Sequence, residues 1–328
     1  MPSIKGKNIL VTGGAGFIGS HLVDKLLESG AGKVVVVDNF LVGKKENLAE
    51  AESKYSNLVV YKDDARHFGV MQAIIEKEKT EVVYNLATIA LNYSFFNPLD
   101  AFMVNVEIAN TLMELLKIGA YKTLIHSSSS EAYGSVQYSP MDENHPLNPT
   151  TPYAGGKAAA DLLVFTMYKV LDLDVAIIRP FNNYGPRQNA EGQLAAIIPL
   201  TAKRILDGER PYIEGTGEQT RDFIYVGDTV RAFIMAYENE DSRGKIINLG
   251  SGIETPIKIL IDEIGAFFDY KGEIDYHPAR KSDVMRLCAC SDLAKKTLGF
   301  TPEVGLKEGL KDTLNWYKTV YSKNVKKE

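Results

Sequence analysis

Asn8-Ile9-Leu10-Val11-Thr12-Gly13-Gly14-Ala15-Gly16-Phe17-Ile18-Gly19 is the stretch whose reading decides the fold. Asn8 to Val11 reads as a short buried strand. After the glycines, Ser20-His21-Leu22-Val23-Asp24-Lys25-Leu26-Leu27-Glu28 is apolar at helical spacing. Strand, glycine turn and helix in that order make a dinucleotide cradle. Gly13 allows the tight turn, Gly16 lets the backbone approach a pyrophosphate, and Gly19 lets the helix pack closely on the strand. The helix N-terminus offers free N–H groups and a positive dipole end to the phosphates. A second strand, Lys33-Val34-Val35-Val36-Val37, ends in Asp38, about 25 residues after the first glycine. A carboxylate there can accept hydrogen bonds from both ribose hydroxyls and repels a 2′-phosphate, which favours NAD over NADP.

The chain of 328 residues can bury a sizeable core. A net charge of −5 gives no electrostatic reason to expect nucleic acid or an anionic membrane as partner. The two cysteines, Cys288 and Cys290, are spaced for neither a disulfide framework nor a zinc site, which points to reduced, cytoplasmic thiols. There is no signal-peptide pattern, and the apolar runs are too short to span a bilayer.

Further strands are expected at 58–61, 81–87, 122–126 and 175–179, with helices at 68–79, 99–118 and 151–171. This alternation predicts an α/β fold, a doubly wound parallel sheet of the Rossmann type. Residues 1–180 are expected to hold the dinucleotide. Residues 181–328 are expected to be mainly a smaller α/β substrate lobe, with elements such as 245–249 returning to the main sheet. Asp63-Asp64, after the third strand, could accept from an adenine amino group. Leu86 and Ala87 fall at a carboxyl edge of the sheet, where ligands bind in open α/β folds.

Tyr153 and Lys157 lie four residues apart on a predicted helix and so share a face. An ammonium near a phenol favours the phenolate and is expected to lower its pKa toward neutrality. Such a tyrosine can take a hydroxyl proton while a hydride leaves the same carbon for NAD. Lys157 could also hold the nicotinamide ribose, and Ser129 could hydrogen-bond the reacting oxygen.

Taken together, Gly13-x-x-Gly16-x-x-Gly19, Asn85-Leu86-Ala87-Thr88, Ser127 to Ser130, Tyr153-x-x-x-Lys157 and Arg179-Pro180-Phe181-Asn182-Asn183-Tyr184-Gly185-Pro186 resemble the extended short-chain dehydrogenase/reductases. Within that family they are similar to the nucleotide-sugar epimerases, dehydratases and decarboxylases, over nearly the whole chain. The resemblance implies a tightly held NAD contacted by Gly13, Gly16, Phe17, Ile18, Gly19, Asp38, Asn39, Asp64, Ala65, Leu86, Ala87 and Lys157. It also implies a nucleotide diphosphate-sugar held by Asn182, Arg187, Arg221, Arg280 and Asp283. No metal is implied, and a homodimer built on helices 99–118 and 151–171 is.

The residues beside the tyrosine bear on the reaction. The related 4,6-dehydratases carry Asp-Glu where this chain has Ser130-Glu131. Glu131 matches their C5 base, whereas Ser130 is too weak an acid to protonate a leaving hydroxyl without a relay. The expected activity is a 4,6-type nucleotide-sugar dehydratase, with 4-epimerase next and a UDP-glucuronate-type decarboxylase third. A sensor that binds NAD without turnover is the alternative of a different class.

Overall fold

The computed structural model describes residues 2–279 and 284–324, with side chains through residue 321. In chain order the strands are β1 (Asn8–Thr12), β2 (Lys33–Asp38), β3 (Leu58–Lys62), β4 (Val82–Asn85), β5 (Thr123–Ser127) and β6 (Val175–Pro180). They continue as β7 (Asn182–Tyr184), β8 (Tyr212–Glu214), β9 (Thr220–Tyr225), β10 (Ile246–Leu249), β11 (Glu254–Pro256) and β12 (Asp275–His277). The first five helices are α1 (Phe17–Glu28), α2 (Ala49–Lys54), α3 (Phe68–Glu78), α4 (Pro98–Lys117) and α5 (Pro152–Leu171). The remainder are α6 (Ile197–Leu206), α7 (Val226–Glu238), α8 (Ile257–Phe267), α9 (Asp292–Leu298) and α10 (Leu306–Asn324).

The main sheet runs β10-β6-β5-β4-β1-β2-β3, parallel throughout. Strands covered on both faces lose the polar–apolar alternation, which is why β2 reads as four consecutive valines, all buried. Each such side chain removed from water contributes about 1.5–3 kcal/mol. One face packs α1 and α7 against β1, β2, β4 and β10. The other packs α3, α4 and α5. Helices on both faces make the doubly wound architecture. The strand order reverses between β1 and β4, and the crevice at their carboxyl ends is where such sheets bind ligands.

Strand β10 joins the edge of the main sheet beside β6, as its sequence suggested, and α7 packs beside α1 on the same sheet. The expected strand at 81–87 is shorter, Val82–Asn85, and leaves Leu86 and Ala87 in the loop at its carboxyl end. A second core gathers α6, α8, α10, Ile213 and Phe223. Around it lie two small sheets, β11-β9-β7 and β12-β8. Helices α4 and α5 lie together on the main sheet, while Leu99 and Leu162 stay exposed on their outer sides. Among the described residues, no helix is long and apolar enough to cross a membrane, and no cluster of His, Cys, Asp and Glu could hold a metal ion.

Candidate functional site

A cleft of about 570 Å³ runs from the glycine loop to the second core. At its floor, the Gly13 to Gly19 turn carries the chain from the end of β1 into α1, whose cap, Gly16, is extended. A Cβ at Gly19 would stand 2.1 Å from the Gly13 carbonyl oxygen, so only glycine lets the helix start this close to the loop. Phe17 and Ile18 line the cleft beside it.

Asp38 ends β2 and is 7% exposed. One carboxylate oxygen accepts the Ala15 N–H at 3.0 Å, and the other accepts the Phe40 N–H at 2.8 Å. Burial raises its pKa above the usual value, and these two N–H groups oppose the rise. Each oxygen keeps a second lone pair, so the group can still receive two hydroxyls. Asn39, Asp64 and Ala65 line the same end. Asp64 is held bidentately by Arg66, at 3.0 and 2.9 Å, and also accepts from Asn39 at 3.2 Å. Burial pushes its pKa up, but Arg66 and Asn39 outweigh that and hold it below the usual range. An adenine amino group would therefore compete with a guanidinium for this carboxylate.

Tyr153 stands in the first turn of α5. Thr151 starts this helix by accepting the Ala154 N–H at 3.2 Å, and Pro152 occupies its first position. Three residues beyond Tyr153, Gly156 sits against α4, where a Cβ would come within 2.5 Å of the Phe102 carbonyl oxygen. The bare Ala154-Gly155-Gly156 run is thus explained by helix packing. Ser129, Ser130 and Glu131 come from the end of β5 and the short turn behind it, where the Ser129 hydroxyl accepts the Glu131 N–H at 3.3 Å. Thr151, Ser129, Ser130 and Glu131 line the cleft with Leu86, Ala87, Tyr153 and Lys157.

The electrostatics correct one expectation. Desolvation pushes the Tyr153 phenol up to about 12, rather than toward neutrality. Hydrogen bonds with Ser129 and Thr88 favour its ionised form, whereas the charges of Glu131 and Asp161 oppose it. Lys157, 3% exposed, donates to the Ser127 carbonyl at 3.0 Å. Burial lowers its pKa to about 8, and Asp161 pulls in the other direction. The expectation took account of the lysine charge and not of burial. In the structure it is deeply buried and anchored to the main chain.

At the far end, β7 pairs with β9 and β9 with β11, and this small sheet brings Asn182 and Arg221 to the cleft. Arg221 donates to the carbonyls of Thr220 and Val284 at 2.9 and 2.6 Å. Asp222, its neighbour, turns the other way and accepts from Ser251, Gly252 and Ala289. Arg187, expected at the substrate, is not among the lining residues and pairs with Asp24 of α1 at 2.7 Å. Arg280 and Asp283 lie outside the described residues.

A family model described as GDP-mannose 4,6 dehydratase matches residues 10–313. A putative UDP-glucose 4-epimerase of Methanocaldococcus jannaschii is 36% identical over 312 residues, covering 94% of this chain and 98% of the relative. The chain is an extended short-chain dehydrogenase/reductase of the nucleotide-sugar epimerase and dehydratase family. A UDP-glucose 4-epimerase of Thermotoga maritima, solved with UDP-glucose, superposes with a TM-score of 0.90 at 35% identity, over 96% of this chain and 99% of that one. A dTDP-glucose 4,6-dehydratase of Streptomyces venezuelae, solved with NAD bound, gives a TM-score of 0.91 at 28% identity, over 96% and 98% of the two chains.

For this short-chain dehydrogenase/reductase, sequence reasoning missed two residues of the cleft. Gln188 donates to the Asn183 carbonyl at 3.0 Å, while its amide oxygen is buried without a hydrogen-bond partner among the described residues, as is that of Asn182. Two such acceptors beside the cleft suit a ligand rich in hydroxyls. Thr88, seen only as part of the strand-end motif, hydrogen-bonds Tyr153 and donates to Asn105 at 2.8 Å. Gln188 lies two residues past the Arg179 to Pro186 motif, and that proximity was the available signal.

Proposed function

We propose that the chain is an NAD-dependent nucleotide-sugar 4-epimerase that acts by transient oxidation at sugar C4. The observation that carries this reading is the make-up of the reacting end. Among the described residues lining the cleft, Glu131 is the carboxylate whose charge acts on Tyr153, and buried Ser130 stands beside it. Elimination of water needs a base at C5 and an acid at the departing hydroxyl, and a serine does not supply the acid. Epimerisation needs neither. The ordering suggested by sequence, with dehydration first, is therefore reversed, and the resemblance to proteins named UDP-glucose 4-epimerases supports the reversal.

The glycine turn, the N-terminus of α1 and Asp38 fit a dinucleotide whose ribose bears free hydroxyls. When bound, NAD would supply a reversible hydride acceptor at C4. Tyr153 would take the C4 hydroxyl proton, and Ser129 would hydrogen-bond the same oxygen. Lys157 would place a positive charge under the phenol, offsetting the carboxylates that resist its ionisation. Asn182 and Arg221 would bind the diphosphate, to which arginine offers a fork of donors. Leu91, Phe95 and Ile197 would give the sugar apolar walls.

Dehydration remains the second reading because Glu131 is a carboxylate at the place where a C5 base would stand. Incubation with UDP-, dTDP- and GDP-hexoses, followed by proton NMR, tests the choice. The C4 epimer is expected, and a 4-keto-6-deoxy product would replace this reading with the second.

A further inference from the structure

Beneath the cleft, a line of buried polar side chains crosses the sheet. Thr12, the last residue of β1 before the glycine loop, accepts the Ala87 N–H at 3.2 Å and donates its hydroxyl to the Asn85 amide oxygen at 2.7 Å. That bond fixes the orientation of the amide, so its NH₂ faces His126 Nδ1 at 3.0 Å. His126 Nδ1 is then an acceptor, and in the neutral ring the proton sits on Nε2. Burial keeps the ring neutral, lowering its pKa to about 4. Nε2 points at the Asp161 carboxylate, with Oδ1 at 3.6 Å, and neither atom has a hydrogen-bond partner among the described residues.

The other oxygen of Asp161 is fully used. It accepts Arg179 Nη2 at 2.7 Å and the Ser128 hydroxyl at 2.5 Å, and Arg179 Nε reaches the same hydroxyl at 3.1 Å. The guanidinium lies over the Tyr133 ring, 4.4 Å from its centroid. A bidentate fork would have spent both oxygens on the arginine. Here one oxygen is turned away from it.

Tyr153, Lys157 and Asp161 follow at four-residue steps along α5 and so share a face. Without Asp161, Lys157 and Arg179 would be two buried cations with no buried counter-charge between them. We propose that Asp161, oriented by Arg179 and Ser128 on one oxygen and faced by His126 on the other, is the positioning residue that keeps the buried Lys157 charged beneath Tyr153. The proposal rests on the epimerase reading only for the use made of that charge. The other groups around Lys157 are accounted for. Tyr153 lies on the same helix, His126 and Glu131 come from β5 and the turn behind it, and Arg179 comes from β6. On α4, Asp100 and Glu107 are engaged by Arg66 at 3.3 and 3.6 Å, and Tyr93 also bonds Asp100 at 3.1 Å.

The test follows Lys157 directly. NAD-loaded protein carrying ¹³C-labelled lysine is titrated by NMR, with the Lys157 signal assigned by its loss in Lys157→Met. In Asp161→Asn the titration midpoint should fall by about one pH unit or more, and Asp161→Glu should restore it. The alkaline limb of kcat should move the same way, with KM for the nucleotide-sugar unchanged. If Asp161→Asn does not fold, Asp161→Asn/Arg179→Gln is compared with Arg179→Gln, because loss of the Arg179 cation alone raises the midpoint, and the double variant should titrate about one pH unit or more below Arg179→Gln. An unmoved midpoint in a folded variant overturns the proposal. The titration needs no turnover, so a shifted midpoint in a protein that epimerises nothing would sink the epimerase reading and leave this one standing.

Discussion

Replacing Lys157 by methionine should make the protein inactive and, near neutrality, more stable. Burial lowers the Lys157 pKa from 10.5 to about 8. At ~1.4 kcal/mol per unit, the folded state carries a penalty of about 3 kcal/mol for holding this charge. Below pH 8 the lysine is protonated in both folded and unfolded chains, so the whole penalty is present. Between pH 8 and 10.5 the folded protein has released the proton that the unfolded chain still binds, so stability rises with pH. Above 10.5 the penalty is gone. Methionine fills a similar volume and carries no charge, but it leaves the Ser127 carbonyl without the lysine donor, a loss of about 1 kcal/mol at any pH. The variant should therefore be about 2 kcal/mol more stable than wild type at pH 7. By pH 10.5 the difference should have vanished or changed sign. Urea unfolding of the cofactor-free proteins at several pH values measures it, because other titrating groups cancel in the difference. A stability difference that stays constant from pH 7 to 10.5 would refute the reasoning.

Three other substitutions probe separate parts of the cleft. Asp38→Ala should weaken NAD binding at least tenfold while affecting NADP less, since it removes two charge-assisted hydroxyl contacts. Calorimetry showing an unchanged preference would mean that another residue sets it. Glu131→Gln should leave the epimer as product. Because the Glu131 charge raises the Tyr153 pKa, its removal should move the acid limb of kcat/KM to lower pH, and loss of epimerisation would instead make Glu131 essential. Arg187→Ala should leave KM for the nucleotide-sugar within about twofold, because its charge is committed to Asp24. A large rise in KM would return Arg187 to the substrate.

The main sheet was legible because its strands are buried on both faces and so appear as short, nearly unbroken apolar runs between helical repeats. The return of β10 was readable for the same reason. The positions of Tyr153 and Lys157 on one face follow from helical spacing alone. Their charge states do not, because these depend on what surrounds each group in three dimensions. Asp161 lies one turn beyond Lys157 in sequence, yet its meaning comes from His126 on β5 and Arg179 on β6. Arg187 shows the converse case. It sits in a recognisable motif, but Asp24, far away in the chain, holds its side chain. The bare Ala154-Gly155-Gly156 run had no reason in the sequence, and the close approach of Phe102 on the neighbouring helix to Gly155 and Gly156 supplies one.

In a 4-epimerase hydrogen leaves C4 and returns to the same carbon, and the sugar keeps its composition. A nucleotide-hexose deuterated at C4, incubated with the NAD-loaded protein and analysed by mass spectrometry and NMR, tests this directly. The expected product has unchanged mass, is inverted at C4 and still carries the deuterium there. Loss of water or carbon dioxide, or inversion with the C4 deuterium washed out to solvent, would contradict it.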